Sequence, residues 1–123
     1  MRHLIFAIAA FITLFSCTEK KCSGVIVHEV KITDFLGEAV VLDKYYTLFP
    51  DNGDTIKINR YRKDSLQYYP ILDDNYSGYF KNQSTASFIF VGIKDGDTIT
   101  SPYVFKYDGC HTSLESGTNK IVY

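Results

Sequence analysis

The chain has no tryptophan, one methionine, three prolines and three cysteines among its 123 residues. The missing tryptophan counts against the usual flat platform on which proteins stack sugars. Charge excess is missing too: 13 Lys plus Arg face 14 Asp plus Glu. That balance makes no electrostatic case for nucleic acid as a partner. Beyond residue 16 no stretch carries the 3.6-residue period of an amphipathic helix, and no second apolar run is long enough to cross a bilayer. There is no fixed-period repeat and no low-complexity segment. A G-x-S-x-G elbow and a cysteine-protease signature are both absent. Neither are there zinc-ligand spacings or a complete twelve-residue calcium loop, so the sequence calls for no cofactor and no metal.

What is present begins with the leader, MRHLIFAIAAFITLFS. Arg2 and His3 give a short positive start. Leu4 to Phe15 is apolar apart from Thr13, a length that suits a signal-peptide core better than a membrane span. Its end, Leu14-Phe15-Ser16-Cys17, resembles the lipobox of bacterial lipoproteins. The resemblance implies cleavage before Cys17, a diacylglycerol thioether on its sulfur and an acyl chain, palmitate for example, on its new amine. Two or three chains at roughly 0.8 kcal/mol per buried methylene hold a protein on a membrane permanently. Large Leu14 at −3 argues against a conventional secretion signal. Thr18, where enteric inner-membrane lipoproteins carry aspartate, points to the outer membrane.

The expected organisation is a signal peptide over 1–16, a lipidated tether over 17–23 and one domain over 24–123. Losing Arg2 leaves 12 Lys plus Arg against 14 Asp plus Glu, a formal charge of −2. The period of the domain is two. Ile26, His28, Val30 and Ile32 alternate with Val25, Val27, Glu29 and Lys31, and Ile99, Tyr103, Phe105 and Tyr107 share one face of a later strand. Ala86 to Ile93 is a continuous apolar run that belongs at the centre of a sandwich. Pro70 marks an edge or a bulge in a strand over 66–72. Turn chemistry falls at Pro50 to Asp54, at Asp73 to Gly78 and at Lys94-Asp95-Gly96-Asp97. Seven to nine short strands without helical crossovers predict an all-β, antiparallel sandwich of transthyretin- or immunoglobulin-like kind.

Three stretches resemble the carboxypeptidase-regulatory-like (transthyretin-like) domains. Gly37-Glu38-Ala39-Val40 is similar to their G-x-P-V entry, with Ala39 where proline is usual. Asp73 to Phe80 is similar to their D-x-x-G-x-Y/F turn, stretched by two residues. Tyr103 to His111, with Gly117 and Ile121, resembles the ends of small lipoproteins of this fold. The resemblance implies an accessory domain, binding or structural, without catalysis.

The candidate chemistry is sparse. Cys110-His111 with Ser113 and His28 raises a small Cys or Ser hydrolase, but neighbouring strand residues point to opposite faces and no motif brings His28 to a nucleophile. Asp51 to Asp54 and Asp73 to Asn75 are what turns demand with or without a metal. The aromatics offer more: 10 Tyr and 9 Phe, with no Trp. Tyr61, Tyr68, Tyr69, Tyr76 and Tyr79 beside Arg60 and Arg62 form a candidate protein- or glycan-binding surface. Half-buried strand tyrosines, ring inward and hydroxyl at the rim, are the plainer reading. Asp54-Thr55-Ile56, Asp64-Ser65-Leu66 and Asp97-Thr98-Ile99 match the Asp-Ser/Thr-aliphatic acceptor for O-glycans used in some Gram-negative envelopes. With Cys17 taken by lipid, Cys22 and Cys110 are an even pair in an oxidising compartment. An intramolecular bridge is expected; two separate thiols, or a bridge between chains, are the alternatives.

Overall fold

The computed structural model describes residues 22–58 and 67–123. The expected leader, the lipidation site Cys17, and Arg60, Tyr61 and Arg62 lie outside them.

Among the described residues eight strands form two sheets. They are β1 (Val27–Thr33), β2 (Lys44–Phe49), β3 (Asp54–Ile56), β4 (Tyr68–Asp73), β5 (Thr85–Lys94), β6 (Asp97–Tyr107), β7 (Thr112–Ser116) and β8 (Lys120–Val122). One sheet runs β4-β1-β8, the other β3-β2-β5-β6-β7. The pairings are antiparallel except β1 with β8, which is parallel. The protein is an all-β sandwich, as the alternation predicts.

The period-two pattern translates directly into burial. In β1, Val30 and Ile32 point inward and are fully covered. In β6, Ser101, Tyr103 and Phe105 are buried while Pro102 and Lys106 are exposed. The run around Ala86 to Ile93 becomes β5, the middle strand of the larger sheet, with Phe88 and Phe90 in the core. Phe88 is the hub, with the rings of Phe49, Phe80 and Phe105 at 5.3, 5.9 and 5.9 Å. Fully burying one such side chain contributes roughly 1.5–3 kcal/mol, so these four rings are a large part of the core under the larger sheet.

Turn chemistry sets the registers. Asp95 and Gly96 both take positive φ, 50° and 82°, the backbone of a type I′ hairpin whose twist suits the flanking strands. The Asp43 carboxylate pins this turn by accepting from the Asp95 N–H at 2.9 Å. Pro70 lies on the sheet's edge strand beside a bulge: His28 faces Leu72, Glu29 faces Pro70, and Ile71 is the extra residue. At Gly117, φ is 131°, and a Cβ would stand 2.4 Å from the buried Tyr103 ring. Only glycine fits there.

One segment departs from the expectation of no helix. Asp74–Phe80 is a 3-10 helix, not an open turn. Asp73 caps it, its Oδ1 accepting from the Asn75 N–H at 2.9 Å. Asp before a short polar run closing on Gly78 serves a turn and a helical start equally, because both satisfy the same N–H groups.

Candidate functional site

β1 starts and β6 ends at the same end of the sandwich, so residues remote in sequence converge there. The Cys22–Cys110 disulfide closes this end, with Cα atoms 5.1 Å apart. Beside it, one carboxylate stitches three segments together. Asp74 Oδ1 accepts from the Thr112 N–H and the Thr112 hydroxyl, each at 2.8 Å. Asp74 Oδ2 accepts from the Ile26 N–H at 2.9 Å and from His111 Nδ1 at 2.7 Å. Burial would raise this carboxyl, but the N–H groups of Ile26 and Thr112, then His111 and the Thr112 hydroxyl, outweigh it and hold the group at about 2. His28 completes the network: Nε2 lies 3.0 Å from both the carbonyl and the hydroxyl oxygen of Thr112. Desolvation pushes the His28 imidazole below its ordinary value, against the opposing pull of the Thr112 carbonyl and Asp74.

Two histidines, an aspartate and a threonine in contact invite a catalytic interpretation, and the proton arrangement answers it. The Thr112 hydroxyl has one proton and gives it to Asp74, so His28 donates toward Thr112 and does not draw a proton from it. Thr112 is 1% exposed, closed to any substrate. Cys110 has its sulfur in the disulfide. Ser113 makes no hydrogen bond to either histidine. The cluster is built as a clasp. Among the described residues no group of three His, Cys, Asp or Glu side chains is arranged to hold a metal.

The described tyrosines of the candidate surface do not stand together. Tyr69 is 0% exposed, so it belongs to the core and not to a surface. Its hydroxyl donates to the Val40 carbonyl at 2.7 Å and accepts from the Leu42 N–H at 2.9 Å, holding the segment before β2. The reason is directional: adjacent strand tyrosines face opposite ways, and in β4, whose bulge at Ile71 follows Pro70, Tyr69 is the one turned inward. Tyr68 lies on the other face, against Lys31, Glu29 and Lys120 in a shallow depression of about 260 Å³.

Tyr76 and Tyr79 lie elsewhere. They line a second depression of about 270 Å³ with Phe49, Asn52, Asn75 and Lys81, between the 3-10 helix and the β2–β3 turn. Tyr79 is fixed from two sides. Its hydroxyl donates to Asp54 Oδ2 at 3.0 Å, and Phe49 meets its ring edge-on at 4.8 Å. Burial, then the bond to Asp54, raises the Tyr79 hydroxyl above its ordinary value, so it stays a donor. Lys81, just past the helix, holds a φ of 51°, which costs a non-glycine residue and persists only where the surroundings impose it. Turn chemistry accounts for Asn75 in the sequence and nothing there marks Lys81; Tyr76 and Tyr79 are the available signal.

At the opposite end, Phe35 and Leu36 are 89% and 86% exposed on a tight turn. Asp34 Oδ1 braces that turn, accepting from the Leu36 and Glu38 N–H groups at 2.8 and 2.9 Å. Of the candidate glycan acceptors, Thr55 and Thr98 are exposed, and 64–66 lie outside the described residues.

Fold and site together define a disulfide-closed β-sandwich with a clasped end and an aromatic depression beside it. No family model, curated protein or solved structure matches the chain.

Proposed function

We propose that this is a lipid-anchored protein of the bacterial cell envelope, held in the outer membrane, whose sandwich is a non-catalytic binding or structural module of carboxypeptidase-regulatory-like kind. One observation carries the reading. The Cys22–Cys110 bridge accounts for two of three cysteines and leaves Cys17 as the remaining one, directly after an apolar leader. A structural disulfide also fits an exported protein better than a cytosolic one.

The same observation bears on how the module would be held. Cys17 lies five positions before Cys22, a reach of at most about 18 Å. The clasped end would therefore face the membrane, with little slack, and the Phe35–Leu36 turn would point away. The binding role draws on the Tyr76–Tyr79 depression; a purely structural role draws on the burial of Tyr69.

The test is Cys17→Ala. The parent protein should fractionate with membranes and carry the mass of a diacylglycerol plus an acyl chain on residues 17–123. The variant should lose that mass and leave the membrane fraction or stay unprocessed. Equal mass and equal fractionation of the two forms would refute the anchor.

A further inference from the structure

We propose that the depression between the 3-10 helix and the β2–β3 turn binds one neutral sugar ring, carried either by a free glycan or by a glycolipid headgroup. This gives a ligand class to the module proposed above and rests on that reading. Four features of the depression lead there.

The first is an uneven distribution of hydrogen-bonding capacity. Asn52 is committed: its Nδ2 donates to Asp54 at 3.1 Å and its Oδ1 accepts from the Asp54 N–H at 2.9 Å. Tyr79 is committed to the same carboxylate. The Asn75 amide, the Tyr76 hydroxyl and the Lys81 ammonium line the same depression with no hydrogen bond or ion pair among the described residues. Amide and phenol each donate and accept, the property a vicinal pair of sugar hydroxyls requires.

The second is the ring arrangement. Tyr76 and Tyr79 stand with centroids 6.4 Å apart and planes tilted by 36°, and Phe49 backs Tyr79. Aromatic faces take the C–H face of a pyranose, while the polar groups at the rim take its edge. Tryptophan is the commoner residue for that work; two tyrosines fixed by packing supply the same chemistry.

The third is size. A depression of about 270 Å³ is just below the roughly 300 Å³ at which pockets for drug-sized ligands begin, leaving room for one ring and not for a buried chain. Charge is the fourth. Among the described residues Lys81 is the sole cation lining the depression, and Asp54, bonded to two lining residues, offsets it. From these residues an acidic sugar or a phosphate would meet a cation already offset by a carboxylate.

Lys81 gives the idea its sharpest test. Glycine adopts a φ of 51° without the cost lysine bears. Lys81→Gly should therefore fold at least as well as the parent protein while removing the ammonium from the depression. Asn75 is exposed, so Asn75→Ala is a second variant that leaves the core untouched.

The experiment uses the mature, lipid-bearing protein in detergent, titrated by calorimetry and by saturation-transfer NMR with maltotriose, cellotriose and triacetylchitotriose. A parallel arm measures retention of the Cys17→Ala form on phosphatidylcholine vesicles with and without digalactosyldiacylglycerol. At least one probe should bind in about the millimolar range, and Tyr76→Ala, Asn75→Ala and Lys81→Gly should each weaken it about three- to tenfold, with Tyr68→Ala unchanged. Trisaccharide binding identifies a free glycan as the source; retention by the glycolipid vesicles alone identifies the headgroup. The inference is overturned if no probe saturates by about 10 mM in either arm, or if all three variants bind like the parent. Because Cys17→Ala should bind trisaccharide unchanged, failure here leaves the anchor standing, and failure of the anchor leaves this standing.

Discussion

Replacing Cys22 and Cys110 together by serine should cost most of the stability this domain has. The bridge joins residues 88 apart in sequence, and nearly the whole described fold lies between them. Cross-linking a loop of that length removes about 4–5 kcal/mol of chain entropy from the unfolded state. Domains of this size are stable by only about 5–15 kcal/mol in total. The native state should change little. Asp74 would still hold Ile26, His111 and Thr112, and β8 would still pair with β1. The loss therefore belongs to the unfolded chain, which expands once the link is cut. Urea unfolding followed by far-UV circular dichroism should show a lower midpoint with an equal or larger slope, since more surface is exposed on unfolding. A shift below about 1 kcal/mol would refute the entropy argument. Two alkylatable thiols at Cys22 and Cys110 in the unreduced, denatured protein would refute the bridge itself.

Three further outcomes follow from the buried polar groups. Asp74 is held at about 2 against an unfolded value of 3.8, so its contribution is complete above about pH 4 and is lost as pH falls toward 2. With its side chain only 7% exposed, that contribution is up to about 2 kcal/mol, and Asp74→Asn should lower stability at pH 7 and flatten the acid limb of a stability–pH curve. His28 is lowered from 6.5, so the unfolded chain binds its proton more readily and stability erodes below that pH; a curve flat from pH 7 to 5 in the Asp74→Asn background would contradict this. Tyr69→Phe strands the Val40 carbonyl and the Leu42 N–H in the core and should cost about 1–3 kcal/mol in chemical denaturation, where a surface tyrosine would cost nothing measurable.

The parts of the fold legible in the sequence are those fixed by neighbours in the chain. Alternation in β1 and β6 names the inward residues because side chains in a strand reverse face at every step. Asp95-Gly96 names its hairpin because few residue pairs accept positive φ at both positions. The cysteine count narrows the disulfide once one thiol is assigned elsewhere. What escapes is set by partners far away. Alternation is the same whether a neighbouring strand runs parallel or antiparallel, so nothing in Lys120–Val122 announces its parallel pairing with β1. Tyr68 and Tyr69 must face opposite ways, but which faces inward is set by the pairing of β4 with β1 and the bulge at Ile71. His111 and Asp74 are 37 residues apart, and their bond exists only because the β6–β7 turn comes down beside the 3-10 helix.

That last convergence explains why the site and the proposed anchor share one end of the molecule. β1 leaves the disulfide and ends at Thr33; β4 comes back and ends at Asp73, where the 3-10 helix begins. β2 ends at Phe49, and its turn toward β3 places Asn52 beside that helix. β6 ends at Tyr107, and its turn brings Cys110 to Cys22. Three strand ends, one short helix and the cross-link thus meet where the chain leads back toward Cys17. A rigid base is what a short tether demands: with at most about 18 Å of slack, a mobile base would sweep the depression through many orientations, whereas the bridge and the Asp74 clasp hold it in one. If Cys17 carries lipid, the depression sits at the height of membrane headgroups, and a sugar in it would be met at the surface of the bilayer.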